Sequence, residues 1–202
     1  YAPGTLWGPI GNESLEPEES VGWDLGIEQY IMDSNFLLAA TYFSNEFKNL
    51  IVFNSLQGFI NVGKAQSRGV ELLFRARLKK NLLLNTSYTR TEAKDKDTNT
   101  YLLRRPKDKF SASLNYSFLN KTDISISLTY LGERDDMFWL GLTPTRVTMP
   151  TFTLLNAAVS YDLFPNVQMF GRLENILDKK YELIKGYATP EFSAYAGLKI
   201  NF

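Results

Sequence analysis

The sequence predicts an all-β fold, an antiparallel up-and-down meander of about nine long strands of the kind that walls a transmembrane β-barrel. Three observations predict it. First, residues 191–202 alternate: Phe192, Ala194, Ala196, Leu198, Ile200 and Phe202 are apolar, while Glu191, Ser193, Tyr195, Lys199 and Asn201 are polar or amphipathic. Period two means one greasy face and one wet face. Twelve such residues exceed the ~5–6 of an ordinary strand and reach the ~9–11 that cross a bilayer. Second, the pattern recurs, with Ser, Thr, Asn, Glu and Arg on the wet side. Third, tight and long connections alternate along the chain.

In chain order, strands are expected at 20–32, 35–53, 59–78, 82–93, 109–119, 123–133, 151–163, 167–177 and 191–202. Pro17 fixes φ and blocks pairing just before the first. Asp33-Ser34 turns it into the second. Lys79-Lys80-Asn81, Asn120-Lys121-Thr122 and Phe164-Pro165-Asn166 make the other tight turns. Within 109–119, Phe110, Ala112, Leu114, Tyr116 and Phe118 oppose Ser111, Ser113, Asn115 and Ser117. Within 123–133, Ile124, Ile126, Leu128 and Tyr130 oppose Ser125, Ser127 and Thr129. Within 151–163, Leu155, Ala157, Val159, Tyr161 and Leu163 oppose Asn156, Ser160 and Asp162. The other connections are 54–58, 94–108, 134–150 and 178–190, all long but the first. A meander then gathers the tight turns at one end and the long loops at the other, the layout of short periplasmic turns and longer extracellular loops. Aromatics near strand ends suggest two interfacial girdles: Tyr30, Phe36, Phe118, Tyr161, Phe164 and Phe202 beside the turns, and Phe47, Tyr88, Phe110, Tyr130, Phe152 and Phe192 toward the loops. A lipocalin-like soluble barrel would need an apolar interior, and this interior is polar.

Composition narrows the chemistry. The 202 residues hold 22 Lys plus Arg and 22 Asp plus Glu, so no charge excess draws nucleic acid. Cysteine and histidine are both absent. That removes disulfides, thiolate and Ser-His catalysis, and the usual zinc and haem ligands. No catalytic residue, cofactor or metal site is expected, and the chain does not read as an enzyme. No apolar run is long enough for a transmembrane helix. A mean hydropathy of −0.21 suits barrel strands, which are only half apolar. Residues 1–19, rich in Gly, Pro, Asn and Glu, read as the remnant of an extracellular loop whose preceding chain is absent.

Several local motifs resemble the C-terminal half of TonB-dependent outer-membrane receptors. Asn12-Glu-Ser-Leu15-Glu-Pro17-Glu18-Glu-Ser20 leads into Val21-Gly-Trp23-Asp-Leu25-Gly26, like the family's N-x-x-L-x-P-E-x-S stretch before a strand. Arg68-Gly69-Val70-Glu71-Leu72 is similar to its R-G-V-E-L strand start. Arg172-Leu-Glu-Asn175-Ile-Leu177-Asp178-Lys-Lys-Tyr181, then Gly186-Tyr187-Ala-Thr-Pro190 and the ending Tyr195-Ala-Gly-Leu-Lys-Ile-Asn-Phe202, complete the set. The resemblance spans essentially all 202 residues. It implies a 22-stranded barrel filled by an N-terminal plug, so that 1–202 is the C-terminal portion and the plug and earlier strands are absent. It further implies residence in the bacterial outer membrane among its lipids. The implied activity is uptake, coupled through the plug to TonB, of a scarce small-molecule metal chelate: a ferric siderophore, haem or cobalamin. The 186–190 stretch looks most like the cobalamin and catecholate-siderophore branch. Tyr195, Leu198, Ile200 and Phe202 resemble the signal read by the barrel-assembly machinery. A passive channel or adhesin barrel, and a soluble all-β binding module, remain as other readings.

Ligand contacts are expected from the long loops. Loop 94–108 offers Tyr101, Arg104, Arg105 and Lys107, cations suited to an anionic chelate. Loop 134–150 offers Arg134, Asp135, Asp136, Phe138, Trp139, Leu140 and Arg146, aromatics among charges. The plainer reading of both is a packed or solvated loop. Asp95-Lys-Asp97-Thr-Asn99 mimics the start of a calcium loop, but Thr100 stands where Gly is required and Pro106 where the bidentate Glu belongs. Asn175 and Asp178 are expected to close turns on their own backbone, and Gly69 and Gly171 to permit bulges. Glu71, Arg75, Arg77, Arg172 and Glu174 are expected to pair across strands or toward the plug.

Overall fold

The structure, a computed structural model, describes residues 12–54, 58–119, 121–141 and 143–201, and only the backbone of 52–54, 62 and 140. Its eleven strands are β1 (Glu19–Ile31), β2 (Phe36–Asn54), β3 (Gly58–Lys79), β4 (Leu82–Asp95), β5 (Asp108–Phe118), β6 (Thr122–Leu131), β7 (Arg134–Leu140), β8 (Thr143–Met149), β9 (Phe152–Phe164), β10 (Val167–Glu174) and β11 (Ser193–Ile200). Nine form one antiparallel sheet in the order β1-β2-β3-β4-β5-β6-β9-β10-β11, and β7 and β8 pair as a separate hairpin. Each expected strand has its counterpart, and neighbours in sequence are neighbours in the sheet, as a meander requires.

Three boundaries differ instructively: residues 134–150, the start of β11, and the end of β10, which stops at Glu174 rather than 177 because Asn175 turns the chain. Residues 134–150, expected as loop, fold into the β7–β8 hairpin; Asp135-Asp136 on one arm and Pro144 on the other hide its alternation. β11 has eight residues rather than twelve. Its expected beginning is held in a loop, where the Phe192 amide donates to Asp178 Oδ1 at 2.9 Å. Phe202 lies outside the described residues. β2 and β3 outrun both neighbours: β1 pairs only as far as Lys48, and β4 only as far as Ala65. Beyond those points the two arms continue together, Leu50 opposite Val62 and Val52 opposite Ile60. The short 54–58 connection is thus compensated by strand length.

Register assigns the faces, because residues directly opposite share a side of the sheet. One face carries Ile27, Leu38, Leu72, Leu84, Leu114, Ile126, Val159 and Leu198. The other carries Asp24, Glu71, Asn85, Ser113, Ser127, Asn156, Arg172 and Lys199, laced by cross-strand hydrogen bonds such as Ser87–Ser111 at 2.7 Å, Arg75 Nε to Asn85 Oδ1 at 3.1 Å and Gln168 to Asp162 at 2.7 Å. The girdles are narrower than expected. Phe36, Phe118 and Tyr161 near the tight turns, and Tyr88, Phe110 and Tyr130 nearer the loops, lie on the apolar face. Tyr30, Phe47 and Phe152 fall on the polar face, and Phe192 lies outside any strand.

Among the described residues the sheet has no second layer, and the buried apolar ones are Ala65, Ala76, Ala93, Met149 and Phe152, too few and too small to make a soluble core. The chain exposes 14548 Å², whereas a globular chain of 23.1 kDa would expose about 9,700 Å². The surplus is what an unclosed barrel wall must leave bare. Gly69 is required by packing rather than by a bulge. Its register with Phe43 and Thr91 is unbroken, and a Cβ there would collide with the Arg90 carbonyl oxygen and come within 2.8 Å of the Phe43 ring. At Gly171 a Cβ would meet nothing closer than 3.7 Å. The irregularities occur elsewhere, at Arg77/Lys79 and Val167/Gln168.

Candidate functional site

At the end of the sheet opposite the tight turns, three connections meet: 96–107, the β7–β8 hairpin and 175–192. One carboxylate joins them. Asp136 is fully buried and is the largest side chain so placed among the described residues. Its Oδ1 accepts from Arg104 Nε at 2.7 Å and from the Met137 amide at 2.8 Å; its Oδ2 accepts from the Lys185 amide at 2.8 Å. Burial alone would raise the Asp136 pKa. The Lys185 amide, the Arg104 guanidinium and the Met137 amide outweigh it and hold the group below the ordinary carboxylate value. The group is therefore a charged, satisfied hub, as a buried ion must be to persist.

Around the hub the contacts repeat the theme. Arg134, also buried, donates through Nη2 to the carbonyl of Glu182 and to that of Leu183 at 3.4 Å, and its guanidinium sits 5.4 Å from the Phe152 ring centroid. Burial lowers its pKa, opposed by the charge of Asp136. Its Nη1 is buried with no hydrogen-bond partner among the described residues. Arg146 clamps Asp135 Oδ2 through Nε at 2.9 Å and Nη2 at 2.7 Å, and Nη2 also reaches the Tyr101 carbonyl. The Arg104 amide donates to the Asp135 carbonyl at 2.6 Å and the Lys107 amide to the Glu133 carbonyl at 3.2 Å. Gly186, at φ +87°, lets the 178–190 segment pass close to Phe138.

Asn175 anchors that segment. It is buried at φ +50°, a conformation Asn tolerates better than most residues. Its side chain donates to the Lys179 carbonyl at 3.0 Å and accepts from the Lys179 amide at 2.9 Å; its own amide donates to Asn156 Oδ1 at 2.8 Å. The local turn expected at Asn175 is there, extended by long-range bonds. Tyr181 stacks on Phe152 at 4.5 Å, and Thr189 Oγ1 donates to the Tyr181 carbonyl at 2.6 Å.

The expected ligand residues divide into two groups. Arg104, Arg134 and Arg146 converge on the hub, where Asp136, Asp135 and backbone carbonyls hold them. Phe138, Trp139 and Arg105 are exposed at the rim. Tyr101 takes a third place: it bridges to Lys94 on the outward side, with Lys94 and Lys107 Nζ at 5.0 and 4.6 Å from its ring centroid. Tyr195 lies on the polar face, its ring 4.3 Å from the Arg172 guanidinium, while Leu198 and Ile200 are exposed on the apolar face. In the calcium-like stretch, Asp95 Oδ1 accepts the Asp97 and Thr98 amides at 2.8 Å each, which is a turn cap. Among the described residues no cluster of three or more such ligands is suited to a metal ion. The inward charges also differ from expectation. Arg172 and Glu174 pair along one strand at 3.4 Å, and Glu71 and Arg77 have no ion pair among the described residues. The close cross-strand pairs, Arg68–Glu92 at 2.7 Å and Arg90–Asp108 at 3.2 Å, are on the outward face. The sequence offered Asp136 only as one of the charges of a ligand-binding loop, whereas the structure makes it the buried hub. Lys185 is the hub member the sequence reading missed, because a backbone amide leaves no signal.

A family model described as TonB dependent receptor-like, beta-barrel, matches residues 1–176. The chain belongs to the TonB-dependent receptor β-barrel family. The same sheet recurs in solved receptors. The siderophore receptor PirA from Acinetobacter baumannii superposes with a TM-score of 0.79 at 20% identity, over 95% of this chain and 33% of that one. The pyoverdine outer-membrane receptor FpvA from Pseudomonas aeruginosa PAO1 gives 0.78 at 18% identity, over 96% and 31%. The ferric-catecholate import receptor Fiu from E. coli K12, closed form, gives 0.77 at 17% identity, over 100% and 30%. This TonB-dependent receptor segment thus spans about a third of the length of the structures it matches. Its place is the outer membrane of a Gram-negative bacterium, with the apolar face toward lipid and the polar face toward the lumen.

Proposed function

We propose that this segment is the C-terminal portion of a plugged receptor that imports a metal chelate through TonB. It supplies lipid-facing wall, a polar lumen surface and part of the extracellular rim. The observation that carries this reading is the hub: one buried carboxylate fastens three connections, far apart in sequence, into a single folded cap above the lumen face. A passive channel has no need of such a cap, whereas a binding rim needs its contact residues held on a rigid support. Trp139, Phe138 and Arg105 are among the side chains the cap leaves exposed. Their chemistry suits an anionic, partly aromatic chelate, and this favours a ferric siderophore over cobalamin. The plug and the barrel-assembly machinery are the protein partners this reading requires, the latter through the edge strand β11.

The test uses the complete receptor in outer membranes with and without functional TonB. Four probes are offered: a ferric tris-catecholate, a ferric tris-hydroxamate, haemin and cyanocobalamin. One iron probe is expected to accumulate only with TonB, and Trp139→Ala is expected to weaken its binding to the purified receptor about tenfold. Uptake indifferent to TonB would replace this reading by that of a passive channel.

A further inference from the structure

The outward face changes character abruptly toward the loop end. On β3 the outward residues run Ala76, Phe74, Leu72, Val70 and then Arg68. On β4 they run Leu84, Thr86, Tyr88 and then Arg90, Glu92 and Lys94. Lys79, the last residue of β3, lies eleven positions from Arg68. At ~3.3 Å rise and ~40° tilt that is about 28 Å along the membrane normal, close to the ~25 Å height of a barrel's apolar band. Arg68 and Arg90 therefore sit where the acyl region ends and the headgroups of the outer leaflet begin.

The charges there line a recess of about 310 Å³ between Tyr42, Arg68, Arg90, Glu92, Tyr101 and Lys107. Lys94, bridged to Tyr101 through the backbone, also sets its ammonium over the Tyr101 ring and pairs with Glu92. Four cations thus face two carboxylates, Glu92 and Asp108. Arg68 spends two donors on Glu92 and Arg90 one on Asp108, which among the described residues leaves further guanidinium donors in each for a ligand. Directly below on the same face lies an apolar groove of about 450 Å³ lined by Ile27, Leu38, Leu72, Phe74, Tyr88 and Phe110. A net positive recess one strand position above an acyl-sized groove on the same face matches a molecule that is anionic at one end and apolar at the other.

We propose that Arg68, Arg90, Lys94 and Lys107, gathered around Tyr101, bind the phosphorylated headgroup of an outer-leaflet lipid whose chain lies in the groove below. Arginine suits phosphate because its planar fork donates two parallel hydrogen bonds, and long basic side chains keep their heads at the interface while their stems cover apolar surface. Tyr101 and Lys107 then serve the lipid flank of the rim rather than the chelate.

The proposal rests on the loop end being extracellular, as in the function proposed above. Its test is native mass spectrometry of the complete, delipidated receptor in neutral detergent. Bisphosphoryl lipid A, its dephosphorylated counterpart and inorganic phosphate are added separately. The bisphosphorylated lipid is expected to be retained, about tenfold less in Arg68→Gln/Arg90→Gln/Lys107→Gln. It should be unchanged in Arg75→Gln/Arg77→Gln, whose side chains lie on the lumen face of β3. Heat-modifiable gel migration confirms folding; should the triple variant fail it, Lys107→Gln alone is expected to cost about threefold. Equal retention of the dephosphorylated lipid, full retention by the folded charge variants, or displacement by millimolar phosphate would each overturn the lipid site, the last by making it a free-anion site. Chelate uptake has no part in the readout. A receptor that transports none of the four probes yet holds the lipid would sink only the transport reading.

Discussion

Replacing Asp136 by alanine removes the acceptor for donors from three separate connections. The amides of Met137 and Lys185 and the Arg104 Nε would lose partners at 2.8, 2.8 and 2.7 Å. A buried amide left unpaired costs roughly 1–3 kcal/mol. Arg104 is half exposed, so water recovers most of its loss. Both amides are only part-buried, so each counts at about 1–2 kcal/mol, and the cap should lose about 2–4 kcal/mol of local stability, with the wall untouched, because among the described residues Asp136 makes no hydrogen bond to the nine-stranded sheet. At 1.4 kcal/mol per tenfold, amide exchange at Lys185 and Met137 should speed up roughly 30- to 700-fold. Hydrogen exchange with peptide mass spectrometry on the detergent-solubilised receptor measures this, with residues 110–117 of β5 as the control. Unchanged protection at Lys185 would refute the hub, and equal loss in β5 would show that the cap and wall open together. The wild type carries its own check. A carboxyl whose folded pKa is depressed contributes fully above its unfolded value, near ~3.9, and loses that contribution as pH falls through the folded value. Cap protection should hold from neutrality to about pH 4 and collapse below it, ahead of the wall.

Three further outcomes follow from the geometry. Gly69→Ala should cost about 1–3 kcal/mol through overpacking against Phe43 and the Arg90 carbonyl, seen as a smaller heat-modifiable fraction, while Gly171→Ala should be neutral; equal effects would contradict the packing account. Asn175→Ala should loosen residues 175–192 by about 1–3 kcal/mol, detected as faster tryptic cleavage after Lys179 or Lys180 in the membrane-embedded receptor, and cleavage at the wild-type rate would show that its hydrogen bonds do not hold the loop. The isolated 202-residue segment should aggregate without detergent, since both edge strands and the apolar face lie bare; a cooperatively folded monomer on size exclusion would defeat the barrel-wall reading.

The wall was legible because its code is local. Whether Ser127 or Leu128 faces the lumen is decided by the neighbour one residue away, and period two survives any change of register partner. The cap was not legible because its code is long-range. Asp136 and the Lys185 amide are 49 residues apart, Asn12 reaches the Phe59 carbonyl across 47, and neither pair leaves a periodic trace. Gly69 is the intermediate case: a glycine inside a strand announced that something approaches closely, but only the pairing of β2 with β3 says that it is Phe43. The same contrast bears on specificity. Strand alternation is demanded of every barrel by lipid and water and therefore carries no ligand information. The side chains left exposed by the Asp136 hub, and the cations left over outside Glu92 and Asp108, are constrained by neither solvent. That freedom is what allows such residues to be chosen for a partner, the proposed chelate above the lumen in one case and the proposed lipid headgroup on the outer flank in the other.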